Sequence, residues 1–388
     1  MKSAGNNQSP SSAHPLGSAL ALLVLVLFST PSLLAQQIRS GAAYLKILPG
    51  TRQQNMAGSL TGSLDGIYSI YANPGATGLL RHWQFSASYN RWIAGISNTS
   101  LFYGQGFRLN TFLGDEINIG LGFNAQNVGN FDATGGSNFV SAQDILLNLS
   151  LGIPLTRTLP NLSIGTNIKY LRSELAQHSA STAALDVGFV YRTSRKSLNF
   201  LFADHFIFSF GAALTQLQLG KPLTFISDET PLPRTFRAGA AVNLGTHDGQ
   251  QLQLAIDYRK VRDENKRFGL GVELINPFGR TAWVPELVIR GGHIFDQEHD
   301  DRLINTVSIG LSFRLDDYVK SFPYAKKGNH LFLKNAAFRV DGGFLGSTTF
   351  NNVYQGSLTY RPIGPEPFRF IPSDFMSTDI RTEPVLSY

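Results

Sequence analysis

Residues 117–124 read Ile-Asn-Ile-Gly-Leu-Gly-Phe-Asn. Ile117, Ile119, Leu121 and Phe123 occupy one parity; Asn118, Gly120, Gly122 and Asn124 occupy the other. Successive side chains of a β-strand point to opposite faces, so this octet is a strand with one apolar and one polar or small face. The same arithmetic holds for Leu147, Leu149, Leu151 and Ile153, for Leu252, Leu254, Ile256 and Tyr258, and for Val307, Ile309, Leu311 and Phe313.

Working outward from these, about fourteen such stretches follow one another from Trp83 onward, each roughly 8–12 residues long, as tilted membrane strands require. Their centres lie near Ser86, Tyr103, Gly120, Leu149, Gly165, Val187, Gly211, Gly239, Leu254, Leu270, Ile289, Ile309, Arg339 and Ser357. Polar turns separate them, among them Thr134-Gly135-Gly136-Ser137 and Thr246-His247-Asp248-Gly249. A large soluble β-protein also alternates. Two features favour the membrane. The apolar face is occupied on nearly every strand, and aromatic residues (Trp83, Tyr89, Trp92, Tyr170, Tyr191, Tyr258, Trp283, Tyr360) gather near strand ends, at headgroup level. The expected fold is all-β: a transmembrane antiparallel β-barrel of about 14 strands with a small N-terminal plug.

Composition points the same way. Charged residues make up 15% of the 388-residue chain, below the usual quarter or so of soluble domains. Mean hydropathy is nonetheless close to zero. Only one apolar run approaches membrane-helix length, which excludes a multi-helix membrane protein. Lipid-facing and lumen-facing residues that alternate cancel in any window average. Cysteine is absent, excluding disulfides and thiolate metal sites. The formal charge is +6, but Lys and Arg are scattered singly, so no nucleic-acid face is read.

Residues 1–35 have the layout of a secretory signal peptide. Lys2 supplies charge, Leu16–Phe28 is the apolar core, Pro31 breaks it, and cleavage is expected after Ala35. Residues 36–80 form a Gly- and Ala-rich hatch segment with a short helix expected near Gln54–Ser63, and Asn73-Pro74-Gly75 is a strong turn signal. The barrel is expected over 81–361, and a Pro-rich tail over 362–388. The chain is thereby directed to the outer membrane.

Three motifs of the hatch segment carry a family resemblance: Tyr44-Leu45-Lys46-Ile47 with Pro49-Gly50-Thr51-Arg52, then Asn55-Met56-Ala57-Gly58, then Ile70-Tyr71-Ala72-Asn73-Pro74-Gly75-Ala76. Tyr89-Asn90-Arg91-Trp92 follows. In this order they resemble the PorV/PorQ family of outer-membrane proteins, relatives of the FadL-type barrels. This chain carries a Gly inside the family's Asn-Pro-Ala motif. The resemblance implies a hatch-bearing barrel in protein secretion, type IX-like, that handles cargo for surface attachment, with secretion-system proteins or secreted cargo as partners beside outer-membrane lipid. The alternative it implies is a FadL-like channel for a hydrophobic small solute.

On the polar parity, charges able to pair inside a lumen recur: Lys169 with Asp186, and Arg237, Asp257, Glu273, Glu286, Arg290, Arg314, Arg339 and Asp341. On the lipid face each would cost about 2–4 kcal/mol near mid-membrane, so they are read as a lumen ladder. A ladder closing the lumen suits an anchor, whereas an apolar lumen lined by Ile67, Ile70 and Tyr71 suits transport. No catalytic constellation is found: no G-x-S-x-G, P-loop or H-E-x-x-H occurs. His293 and His299 beside Asp296, Glu298, Asp300 and Asp301 lack regular ligand spacing and read as a hydrated turn. The chain is read as non-enzymatic, without cofactor or metal.

Overall fold

The computed structural model describes residues 40–362 apart from 64–66, 81–82, 93–94, 110, 133–138, 201–202, 226–227, 247–248, 278–285, 297–303, 315–335 and 347–352. The expected leader, the residues beyond 362, Trp283 and His299 lie outside the described residues.

The strands are β1 (Gln84–Arg91), β2 (Ser97–Arg108), β3 (Glu116–Asp132), β4 (Phe139–Pro154), β5 (Leu162–Leu175), β6 (His178–Arg192), β7 (Lys196–Phe200), β8 (Ala203–Leu219) and β9 (Leu223–Phe225). There follow β10 (Asp228–Thr230), β11 (Thr235–Gly245), β12 (Gln251–Val261), β13 (Lys266–Pro277), β14 (Glu286–Asp296), β15 (Ile304–Arg314), β16 (Ala336–Gly346) and β17 (Val353–Pro362). Fourteen of them close into one antiparallel cylinder, sealed where β1 meets β17 and where β8 meets β11. The fourteen centres expected from alternation each fall within a barrel strand. The short β7, which pairs beside β8, and the β9–β10 hairpin carried no signal, because three to five residues are too few to establish a period.

Alternation sorts the side chains as the closed wall requires. Leu101, Leu121, Leu149, Ile168, Ile256, Val272 and Ile309 stand exposed on the outside. Ser86, Asn90, Ser100, Asn118, Asn148, Ser150, Asn167 and Ser308 are buried on the inside. Closure leaves none of the fourteen wall strands at a sheet edge, and the apolar exterior replaces water with lipid, so the chain is a transmembrane barrel of the outer-membrane type. Among the described residues no helix is long and apolar enough to cross a membrane.

β1 begins and β17 ends at one rim, called here the near mouth; the opposite rim is the far mouth. The hatch segment lies within the wall. Its helix spans Thr51–Asn55 rather than 54–63. The reason is local: Ala57 and Gly58 both take positive φ (54° and 73°), which ends the helix one turn after it starts. A second helical turn spans Ser69–Ala72, and 3-10 turns span Ala43–Lys46 and Pro74–Leu79.

Candidate functional site

The hatch threads the lumen from mouth to mouth. At the far mouth, Ser40 donates from its backbone N–H (2.9 Å) and its hydroxyl (2.6 Å) to Asp263, in the β12–β13 turn. Lys46 pairs with the same carboxylate at 2.9 Å and with Glu264 at 3.1 Å. At the near mouth, Leu80 delivers the chain to β1. Nothing in the sequence marked Asp263 as a clasp, because a carboxylate in a turn is ordinarily a solvated one.

Against β3–β6 and β8 the hatch is held mainly by neutral contacts. Asn73 donates through Nδ2 to the carbonyls of Thr61 and Phe189, both at 2.8 Å, while its Oδ1 accepts from the Gly75 N–H at 2.9 Å. Pro74 at the first helical position, behind an Asx cap, starts the 3-10 turn. The turn lies on a seam of inward glycines, Gly152, Gly165 and Gly188, which face one another across β4, β5 and β6. A Cβ on Gly152 would collide with the backbone of Thr77 and Gly78, on Gly165 with the Pro74 carbonyl, and on Gly188 with Asn73 Oδ1. Backbone meets backbone here, and only glycine permits it. The Asn73, Pro74 and Gly75 singled out in the sequence thus form the docking turn.

Against β12–β17 the hatch is held by charge. Arg52 donates to Glu273 at 2.9 Å and to Gln253 at 2.6 Å. Glu273 also takes Arg290, which reaches Asp341 at 2.7 Å; the Arg290 side chain is wholly buried. The sequence placed Glu273, Arg290 and Asp341 on one parity but missed Arg52, whose only signal was its place in the Pro49-Gly50-Thr51-Arg52 motif. Asp257 accepts from the Thr61 N–H at 2.7 Å, and Arg237 is buried near it on β11. Arg339 and Glu286 stand 3.7 Å apart, partly exposed. Lys169 and Asp186 form a separate pair at 2.6 Å, both fully buried, with Lys169 Nζ 4.6 Å from the centre of the Tyr71 ring. Arg314 lies on β15, and its side chain is outside the described residues.

An apolar file joins the hatch to β2, β4 and β5. Leu223 and Leu232, with Phe225 packed on them, start it at the far mouth; Tyr44, Leu45 and Leu48 continue it. Ile67, Ile70 and Tyr71 of the hatch meet Phe102, Leu146 and Leu171 of the wall, and Leu80 ends it. Tyr44, Tyr68 and Tyr71 are buried in this cluster, and their rings add to the apolar character of the file.

No family model matches this sequence, and no curated protein matches it. Among solved structures, the Ralstonia pickettii toluene transporter TbuX is similar at 11% identity, over 81% of this chain and 97% of that one, with a TM-score of 0.46. The CymD monoaromatic hydrocarbon channel is similar at 10% identity over 81% and 97%, also with a TM-score of 0.46. A Pseudomonas aeruginosa FadL homologue is similar at 11% identity over 80% and 97%, with a TM-score of 0.44. Among the described residues no group of three or more His, Asp or Glu is placed to hold a metal ion. His293 meets Phe295 edge to face, with ring centres 4.4 Å apart.

Proposed function

We propose that this chain is a non-enzymatic outer-membrane channel for a hydrophobic small solute, gated by its hatch. The observation that carries this reading is the apolar file. A lumen built only to be plugged can be filled with polar side chains that satisfy one another. Here Ile67, Ile70 and Tyr71 of the hatch instead meet Phe102, Leu146 and Leu171 of the wall in one cluster that extends from the far-mouth hairpin to Leu80. A small shift of the hatch exchanges its apolar side chains for those of a solute, and transfer of apolar surface is then nearly balanced. The test is uptake of a radiolabelled aromatic hydrocarbon by cells carrying or lacking the gene. Loss of uptake without the gene supports the channel; unchanged uptake at limiting concentration removes it.

A second reading has its own observation. The Arg52–Glu273–Arg290–Asp341 network clamps the hatch to the wall, which suits a permanently plugged anchor that handles cargo in type IX-like secretion, with secretion components or secreted proteins at its loops. Retention of secreted proteins in the periplasm of the deletion strain, with solute uptake intact, would favour it.

A further inference from the structure

One strip of the lumen wall is lined by amides set side by side. Toward the far mouth, β17, β1, β2 and β3 carry inward amides in direct cross-strand register: Gln355 faces Asn90, Asn90 faces Asn98, and Asn98 faces Gln126. All four are more than nine-tenths buried. Asn124 lies on the next rung, two residues from Gln126. Among the described residues, both polar atoms of Asn90 and of Gln355, with Gln126 Oε1 and Asn124 Oδ1, have no hydrogen-bond partner, whereas Asn98 Oδ1 accepts from the Ser100 hydroxyl at 3.1 Å. Buried amides elsewhere in proteins are paired, because an unpaired one forfeits its solvation without replacement. Three of the four amides in this row, with Asn124 beside them, keep such unpaired atoms, and together they can bond something that is not protein.

The strip borders the apolar file. Asn124 is in register with Leu146, and Leu146 with Leu171, so polar and apolar residues share one rung. A molecule lying along Leu146, Leu171, Ile70 and Tyr71 has its end beside the amides. Resting on the channel reading above, we infer that the solute is an amphiphile: an apolar chain or ring system with an uncharged hydrogen-bonding head, such as an alcohol or primary amide.

The chemistry of the strip selects that head. Asn and Gln each offer both donors and an acceptor. A hydroxyl or amide head uses both; an ammonium head leaves the Asn90 Nδ2 and Gln355 Nε2 donors unpaired. A carboxylate head meets Asp144, which is in register with Gln126 on the same rung. The cation nearest in register, Lys169 on β5, is already bound to Asp186.

The test is equilibrium binding of four radiolabelled probes of equal chain length to the full chain in lipid nanodiscs, with empty nanodiscs subtracted. The probes are dodecane, 1-dodecanol, dodecanoate and dodecylammonium. Dodecanol is expected to bind about tenfold tighter than dodecane, the worth of roughly one net hydrogen bond, and tighter than either ion. Asn124→Leu and, separately, Asn90→Leu should bring the dodecanol-to-dodecane ratio close to one, with heat-modifiable gel migration reporting that the barrel is folded. Asn124→Ser, which keeps a donor and an acceptor, should retain part of the preference. Equal binding of dodecane and dodecanol, preference for either ion, or a preference that survives both Leu variants overturns the inference while leaving the channel reading in place. Binding of none of the four overturns the inference, and the aromatic-hydrocarbon uptake assay then decides the channel reading separately.

Discussion

The two sides of the lumen hold the same hatch by opposite means. On the β4–β6 side, the Asn73-Pro74-Gly75 turn lies backbone to backbone on glycines, with a few neutral hydrogen bonds. On the β12–β16 side, Arg52 is locked by buried carboxylates and a second arginine. The first kind of contact is set by shape and tolerates little added volume. The second is set by charge balance and tolerates no missing partner. A hatch that moves as a gate is expected to let go on one side and pivot on the other, and variants that damage one side at a time show which is which.

The largest effect is expected on the charged side. Arg290→Ala leaves Asp341 buried without its cation and weakens the hold on Glu273, at a cost of about 3–5 kcal/mol, the usual loss when one member of a buried pair is removed. Urea unfolding in lipid vesicles measures it, and replacing Asp341 with Asn as well should recover part of the loss. On the seam side, Gly165→Val drives a side chain into the Pro74 carbonyl. It is expected to cost about 1–3 kcal/mol and to expel the turn, which appears as new protease sensitivity of the hatch and as raised single-channel conductance. A rise in conductance for Gly165→Val but not for Arg290→Ala makes the seam the side that lets go and the charged side the pivot; the converse result reverses the two. Asn73→Ala removes a cap and two hydrogen bonds, one within the hatch to Thr61 and one to Phe189 of β6, and should cost about 1–2 kcal/mol, with the barrel intact.

The smallest effect belongs to the far-mouth clasp. Burial alone would raise the Asp263 carboxyl, but the Ser40 hydrogen bonds and Lys46 outweigh it and hold the group at about 2, below its ordinary 3.8. A depressed folded value means that the clasp contributes fully above about pH 4 and is lost as pH falls toward 2. Conductance titrated across that window should increase on the acid side, and Asp263→Asn should flatten the curve.

Much of this was legible along the chain, for a reason that individual strands make plain. In β3, Ile117 to Asn124 carries both the apolar and the lumen face in eight consecutive residues, so strand position and the sidedness of every side chain follow from local order. The Lys169 and Asp186 parity could be read in the same way. Arg52 could not, since its partners Glu273 and Gln253 lie 221 and 201 residues away. Nor could the amide strip. Asn90, Asn98, Gln126 and Gln355 look like ordinary lumen positions until the closure of β1 on β17 sets them side by side.

Alternation by itself determined a cylinder with an oily outside and a wet inside, because strand side chains change face at every residue whatever their surroundings. Only the tertiary structure decided what fills that cylinder. The hatch's path, the glycines it rests on and the charges that clamp it are meetings between distant segments, and their energy exists only when the wall has closed around them.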